Sequence, residues 1–191
     1  MDEGAIRNVA AQSRHLTERF FAQRTAEVLK AGQAMSQSLQ AGGKILVFGN
    51  GGSAADAQHL AGELVGRYLK NRRALPAIAL TTDSTIVTAV GNDLGFDEVF
   101  RRQVEAHGRK GDVAIGISTS GRSPNVIKAL EAAKGNGLVT MALTGEGGGK
   151  LAGLVDHLID VPSTDTPRVQ EVHGLVVHLL CQIVEEEVCA G

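Results

Sequence analysis

The chain has no tryptophan, one tyrosine and five phenylalanines among 191 residues, and its basic residues are dispersed around a formal net charge of −2. Without aromatic platforms or a basic stripe it has little with which to stack bases or neutralise a phosphodiester backbone, so no nucleic-acid partner is expected. Cysteine is scarce as well. Cys181 and Cys189 lie close together in a helical pattern near the C-terminus, which does not resemble a secreted disulfide framework. Reduced thiols in a cytoplasmic protein are the expectation. No apolar run is long enough to span a bilayer, and the start, Met-Asp-Glu-Gly-Ala-Ile-Arg, leads into no unbroken apolar segment. Neither a leader peptide nor membrane attachment is expected. What is plentiful is glycine, at 24 residues, placed at turns between periodic segments. A length of 191 residues suits one domain over 1–191 with a full core.

The stretch from Lys44 to Arg67 organises the rest. Ile45 to Phe48 is an apolar run of strand length, followed by Gly49-Asn50-Gly51-Gly52-Ser53 and then a helical period from Ala54. Glycines allow a tight turn and a close approach of backbone N–H groups to a ligand, and the positive end of the following helix favours an anion at the same spot. That helix carries His59 and Glu63 four residues apart, on one face and deeper in.

Along the chain, Ala5 to Leu39 has helical periodicity, with no Pro or Gly to interrupt it before Gly32; it is read as a helix pair, and Ala41-Gly42-Gly43 ends it. So long a helical region exceeds what one sheet needs as cover, and residues 1–40 are expected to contribute to an oligomer interface. Short apolar strands are predicted at Ala77–Leu80, Asp112–Ile117, Leu138–Leu143 and His157–Val161. Helices are predicted between them, with N-cap candidates at Thr81–Ser84 and Pro124 in a first turn. A long final helix follows from about Thr166 to Glu187. Strands alternating with helices in this way imply a doubly wound parallel sheet flanked by helices, preceded by a helical N-terminal extension. On the last helix, Val172, Leu175, Val176, Leu179, Ile183 and Val184 are predicted to face the core. A weakly polar line of Gln170, Gly174, Val177 and Cys181 lies roughly opposite, with His178 between. The helix lacks a strongly charged face until Glu185, which points to burial on both sides and again to an oligomer.

Three loops at predicted strand C-termini are rich in Gly, Ser and Thr: 49–53, 118–123 and 144–149. In an open α/β sheet they converge on one crevice. Ser118, Thr119, Ser120 and Ser123 with a helix start suit the oxygens of a phosphate monoester; ordinary caps and turns are the plainer account. Gly49–Ala54 also fits a loose dinucleotide fingerprint, but the second strand ends in Thr81-Thr82 with Asp83 late, where a ribose-binding acid is wanted. His59 and Glu63 alone fit a helix-face pair, two metal ligands or an acid–base couple. Gln170 and His178 can complete a metal shell, yet eight helical residues span about 12 Å. Both reach one ion only if their side chains lean together or one comes from another subunit. His15, His107, His157 and His173 are read as surface or packing histidines.

Taken together, Gly49–Ser53, His59, Glu63, Asn92-Asp93, Ser118-Thr119-Ser120-Gly121-x-Ser123 and Gln170-Glu171-x-His173 through His178 resemble the phosphoheptose isomerases of the sugar-isomerase (SIS) superfamily. The match runs over nearly the whole chain in one register. The resemblance implies an SIS-type fold and conversion of sedoheptulose 7-phosphate to D-glycero-D-manno-heptose 7-phosphate, the entry step to activated heptoses of lipopolysaccharide cores. It also implies a homotetramer with active sites at subunit interfaces. By the same resemblance Asn50, Gly51, Gly52, Ser53, Asn92 and Asp93 hold the sugar, with Glu63 and Gln170 also contacting substrate. Ser118, Thr119, Ser120 and Ser123 hold the phosphate. His59, Glu63, Gln170 and His178 match zinc-binding positions, one ion per subunit. Glu63 is the candidate base and His178 the candidate acid. A related SIS protein acts instead as a non-catalytic adaptor for a replication initiator but lacks part of the His/Glu/Gln/His set, which is complete here. An isomerase of another phosphosugar is the remaining alternative.

Overall fold

In the computed structural model, residues 1–189 are described. The elements in order are α1 (Glu3–Gln40), β1 (Ile45–Gly49), α2 (Gly52–Val65), β2 (Ala77–Ala79), α3 (Ser84–Asp93), α4 (Arg101–His107), β3 (Val113–Ser118), α5 (Pro124–Gly135), β4 (Val139–Thr144), β5 (His157–Asp160) and α6 (Thr166–Val188). The five strands are all parallel in the order β2-β1-β3-β4-β5. A parallel sheet must be covered on both faces, and the strand sequences supply two apolar sets by simple alternation. Ile45, Val47, Val113, Ile115, Ile117, Met141 and Leu143 face α1, α2 and α6. Leu46, Phe48, Ala114 and Ala142 face α4 and α5. Gly116 lets α5 close down on β3, since a Cβ there would stand 2.7 Å from Val126 and Leu130 side-chain carbons.

The strand order reverses between β1 and β3, and at such a switch point the loops leaving adjacent strands diverge to opposite faces and open a crevice. The loops concerned are 49–52 and 118–123, two of the three picked out by their composition. Asp83 is the N-cap of α3, its carboxylate accepting from Ile86 N at 3.0 Å, and Pro124 occupies the first turn of α5 as expected.

The N-terminal region differs from expectation. It is one uninterrupted helix, α1, capped by Asp2 accepting from Ala5 N. Gly32 does not break it because the missing side chain is what the crossing with α6 requires: a Cβ there would come within 2.7 Å of Ile183. Residues 1–12 are exposed and Leu16 is the first buried position. Farther along, Arg24 donates to both oxygens of Asp160 at 2.7 and 3.2 Å, anchoring α1 beside edge strand β5.

The core face of α6 is also rotated from the stripe expected. Val169, Val172, His173, Val176, Val177, Leu180, Cys181, Val184 and Glu185 are buried, whereas Leu175 is 39% exposed. The helix is packed by α1 on one side and α2 on another, so Val177 and Cys181, assigned to the weaker line, lie fully inside. Glu185 is no surface charge. Its carboxylate accepts from the backbone N–H groups of Tyr68, Leu69 and Lys70 at 2.8, 2.8 and 2.9 Å and pairs with Arg72 at 3.0 Å, the two side chains being 1% and 3% exposed. Burial alone would raise its pKa; the three N–H groups and Arg72 outweigh that and hold it below the ordinary carboxylate value. The Arg72 guanidinium also donates to the carbonyls of Glu63 and Leu64, both at 2.8 Å, closing the C-terminal end of α2 with positive charge.

Removing one partner of a buried pair strands the other. Arg72→Met should therefore lower unfolding free energy by about 3 kcal/mol, read as a reduced denaturation midpoint in urea. A change under about 0.5 kcal/mol, the range of ordinary surface substitutions, would show that the pair contributes nothing.

Candidate active site

Helices α2 and α6 lie side by side and run in the same direction. Gln170 packs over Gly52, where an added Cβ would sit 2.5 Å from its side-chain Nε2. Two turns on, His178 meets His59, and farther still Glu185 meets the chain that leaves α2. The outcome is a single point of convergence. His59 Nε2 lies 3.1 Å from Glu63 Oε1 and 3.2 Å from His178 Nε2, and the ligand atoms of all three residues are within 4.8 Å of one another. The two imidazoles meet edge to face, centroids 4.8 Å apart and planes at 90°. The His59 and Glu63 side chains are 39% and 25% exposed, so the point is open to a ligand.

The donor set fits a zinc ion. Three Lewis bases face one locus, and at most one N–H can be shared among three such close atoms, whereas a cation satisfies all three lone pairs at once. Spacings of 3.1 and 3.2 Å match ligand edges around an ion with bonds near 2.0–2.1 Å. All three residues come from one chain. Beside them, Asp56 sits one turn before His59; burial raises its carboxyl above the usual range, with His59 opposing that shift, and its Oδ2 is buried without a hydrogen-bond partner. Cys181, one turn beyond His178, is fully buried, and burial pushes its thiol up to about 12, with Glu63 adding to the shift. At neutral pH it is a protonated, unreactive group.

The glycine loop after β1 turns at Gly51, whose φ of +57° favours a residue without a side chain. Ser53 N and Ala54 N donate back to Asn50 O and Gly51 O, both at 3.0 Å. The Asn50 side chain forms a reciprocal amide pair with Asn125 at 3.0 and 2.9 Å, tying this loop to the first turn of α5. Nothing in the sequence singled out Asn125, since an asparagine after Pro124 reads as an ordinary helix start. A cavity of about 160 Å³ opens alongside, between Asn50, Gly51, Thr81 and Phe96.

In the second loop, Ser118 Oγ and Ser123 Oγ are 2.9 Å apart and Ser120 Oγ accepts from Arg122 N. The third loop holds the second in place: Gly145 N donates to Thr119 O and Lys150 N to Gly121 O, each at 2.9 Å. Gly121, at φ +61°, passes so close to Gly148 O that no side chain fits. Thr119, Ser120, Arg122, Glu146, Thr164 and Thr166 line a polar cavity of about 230 Å³. Asn92 and Asp93 stand apart. They are exposed at the end of α3, where Asn92 donates to Asp93 at 2.7 Å, and among the described residues neither hydrogen-bonds to the three loops.

His173 is a packing histidine. It is fully buried, with Nε2 3.0 Å from Thr144 O and Nδ1 buried without a partner. A carbonyl partner requires the Nε2–H tautomer, and α6 is thereby fastened to the strand end from which the third loop departs.

Residues 10–145 match the SIS domain family, and the chain forms a five-stranded parallel sheet with two glycine- and hydroxyl-rich loops at the switch point, so fold and family match define an SIS-domain protein. It is 57% identical to the phosphoheptose isomerase of Rhodospirillum rubrum over 85% of this chain and 87% of that one. Against the phosphoheptose isomerase of Campylobacter jejuni it is 56% identical over 84% and 86%. The structure of the phosphoheptose isomerase of Neisseria gonorrhoeae superposes with a TM-score of 0.91 at 44% identity, covering 96% of this chain and 98% of that one. That of Francisella tularensis gives 0.94 at 37% identity, covering 97% and 100%. The chain belongs to the phosphoheptose isomerase family.

Burial lowers the His173 pKa from 6.5 to about 4, against a smaller raising by its bond to Thr144. The unfolded chain thus takes up this proton at a higher pH than the folded one. The associated stability is fully present above pH 6.5 and disappears as pH falls from 6.5 towards 4, a loss of about 3 kcal/mol. Urea denaturation across that range should show the decline, with a shallower slope in His173→Gln. Equal slopes would assign the acid sensitivity to other groups.

Proposed function

We propose that this protein interconverts sedoheptulose 7-phosphate and D-glycero-D-manno-heptose 7-phosphate, the aldose–ketose step that opens activated-heptose synthesis for lipopolysaccharide cores. Membership of the phosphoheptose isomerase family supports it, and the observation that carries it is the meeting of His59, Glu63 and His178 at one accessible point. In this reading Ser118, Thr119, Ser120 and Ser123 hold the phosphate with the N–H groups at the start of α5. Asn50, Gly51, Gly52, Ser53, Asn92 and Asp93 hold the sugar. Gln170 lies over Gly52 beside the sugar loop and is also assigned to the metal shell, which it joins only by leaning its amide along α6 towards His178.

The reaction moves one proton between neighbouring carbons and one between their oxygens. Glu63 removes a proton from C1 of the ketose while His178 gives one to O2, producing an enediol. Glu63 then returns its proton to C2 as O1 loses its own to His178, leaving the aldehyde at C1. Atoms balance without a redox cofactor, and both groups end as they began. Zinc, held by His59, Glu63 and His178 with Gln170 as fourth ligand, would supply a Lewis acid for the oxygens that alternate between carbonyl and hydroxyl. Glu63 has two carboxylate oxygens to divide between ligand and base, whereas His178 Nε2 holds a metal or a proton and not both, so the ligand and acid roles compete for that side chain.

The working form is proposed to be a cytoplasmic homotetramer of single SIS domains, each running over residues 1–191. Its interfaces involve residues 1–40 and the exposed edge of α6, and its sites lie at those interfaces. The uncovered start of α1, with Ile6 58% exposed, and exposed Leu175 support this reading.

Incubation with sedoheptulose 7-phosphate should yield the aldose, detected by the anomeric signals of the product. Glu63→Gln should lower kcat by at least about 10²-fold while calorimetry finds sugar-phosphate binding nearly unchanged. Removal of zinc with a chelator should reduce turnover and its readdition restore it. No aldose from the wild-type protein, with or without zinc, would favour the adaptor reading; near-normal turnover by Glu63→Gln would reject it as the base.

A further inference from the structure

Glu185 lies two turns beyond His178 on α6 and does nothing in the chemistry just described, yet its carboxylate is almost wholly buried and closely partnered. Three consecutive backbone N–H groups, of Tyr68, Leu69 and Lys70, converge on it at 2.8–2.9 Å, and Arg72 closes the arrangement at 3.0 Å. Three consecutive N–H groups can aim at one carboxylate only if the chain bends tightly around it. That bend sends the Tyr68 side chain back along α6, where its ring stacks on the His178 imidazole with centroids 5.5 Å apart and planes 26° from parallel. His59 meets the same imidazole edge to face at 90°. His178 is thus held between two rings at different angles, one of which belongs to no helix and owes its place to Glu185.

We infer that Tyr68 is a positioning residue for His178: its ring fixes the plane in which Nε2 faces His59 and Glu63, and Glu185 with Arg72 holds the Tyr68 backbone that carries the ring. The flat face is what acts, because it blocks rotation of the imidazole about its Cβ–Cγ bond; the hydroxyl has no part in it. Groups that orient a metal-binding or catalytic histidine from behind typically alter metal affinity or rate by 10–100-fold when removed. The inference rests on the proposed role of His178, so its test needs one readout that does not pass through turnover.

The comparison is of Tyr68→Phe, which keeps the ring, with Tyr68→Leu, which keeps apolar bulk but loses the plane. Tyr68→Leu should weaken zinc affinity of the metal-free protein about 10-fold, measured by competition with a chromogenic chelator. It should lower kcat by a similar factor with KM for sedoheptulose 7-phosphate within about twofold, at an unchanged melting temperature. Tyr68→Phe should match wild type in both. Glu185→Asp keeps the charge beside Arg72 but draws the 68–70 backbone inward; it should cost several-fold in zinc affinity in the wild-type background and nothing further in Tyr68→Leu. Wild-type values for Tyr68→Leu, or equal losses in the Phe and Leu variants, would overturn the role of the ring. Additive losses would overturn the dependence on Glu185. A wild-type protein that binds zinc without isomerising the sugar would overturn the proposed function instead, and the affinities would still decide this inference.

Discussion

The site depends on one geometric constraint, that α2 and α6 travel together. His59 and His178 are 119 positions apart, and their nitrogens meet only because two helices on the same face of the sheet run in one direction with Gln170 seated on Gly52. Gly52 is therefore more than a turn residue. It is the close contact that sets the axial register of the pair, and a helical step of about 1.5 Å per residue carries that register down to His59 and His178. At the far end Glu185 and Arg72 secure the same alignment. The cluster lies between two fixed points and inherits its precision from them.

Much of this was legible in the sequence, for identifiable reasons. Parallel strands buried on both faces must be continuous apolar runs, and Ile45–Phe48 and Val113–Ile117 read as such. Their strand order then put two of the three glycine- and hydroxyl-rich loops at the switch point. His59 and Glu63 were legible because a four-residue spacing fixes a shared helix face. Gln170 and His178 read as ligands two turns apart, able to share an ion only if their side chains lean together or one comes from another subunit, and the family resemblance matched them to zinc-binding positions.

The parts that could not be read are those where another segment decides. Gly32 resembled a break between two helices, and only the crossing with Ile183 shows why glycine stands there unbroken. The α6 stripe differs from expectation at Leu175, Val177 and Cys181 because α1 and α2 cover that helix from two sides, so no single apolar face exists to be found by period. Asn125 and Tyr68 carried no local signal at all; each matters through one long-range contact, an amide pair with Asn50 and a ring stack on His178. Glu185 marked the start of a charged face by sequence, yet it is almost wholly buried. A carboxylate placed so deeply is tolerable only with the three backbone N–H donors and the Arg72 charge that the 68–72 segment supplies.

The arrangement also bears on which substrates suit the proposed reading. The 118–123 loop that would grip the phosphate sits at the strand ends beside the 49–53 loop, to which Asn125 ties it through Asn50, while His59 lies seven residues beyond Gly52 on α2, about 10 Å by its axial rise. A sugar phosphate bound by its anionic end at the loops must therefore be several carbons long to present its carbonyl region to Glu63 and His178. A short phosphorylated triose satisfies one end or the other, not both. Binding energy from the remote phosphate contributes to the reacting end only when the chain between them has the right length. On this view the distance from the strand-end loops to His59 and His178 measures the substrate, and the contact of Gln170 with Gly52, together with the Glu185 anchor, keeps His178 in register with His59 at that distance.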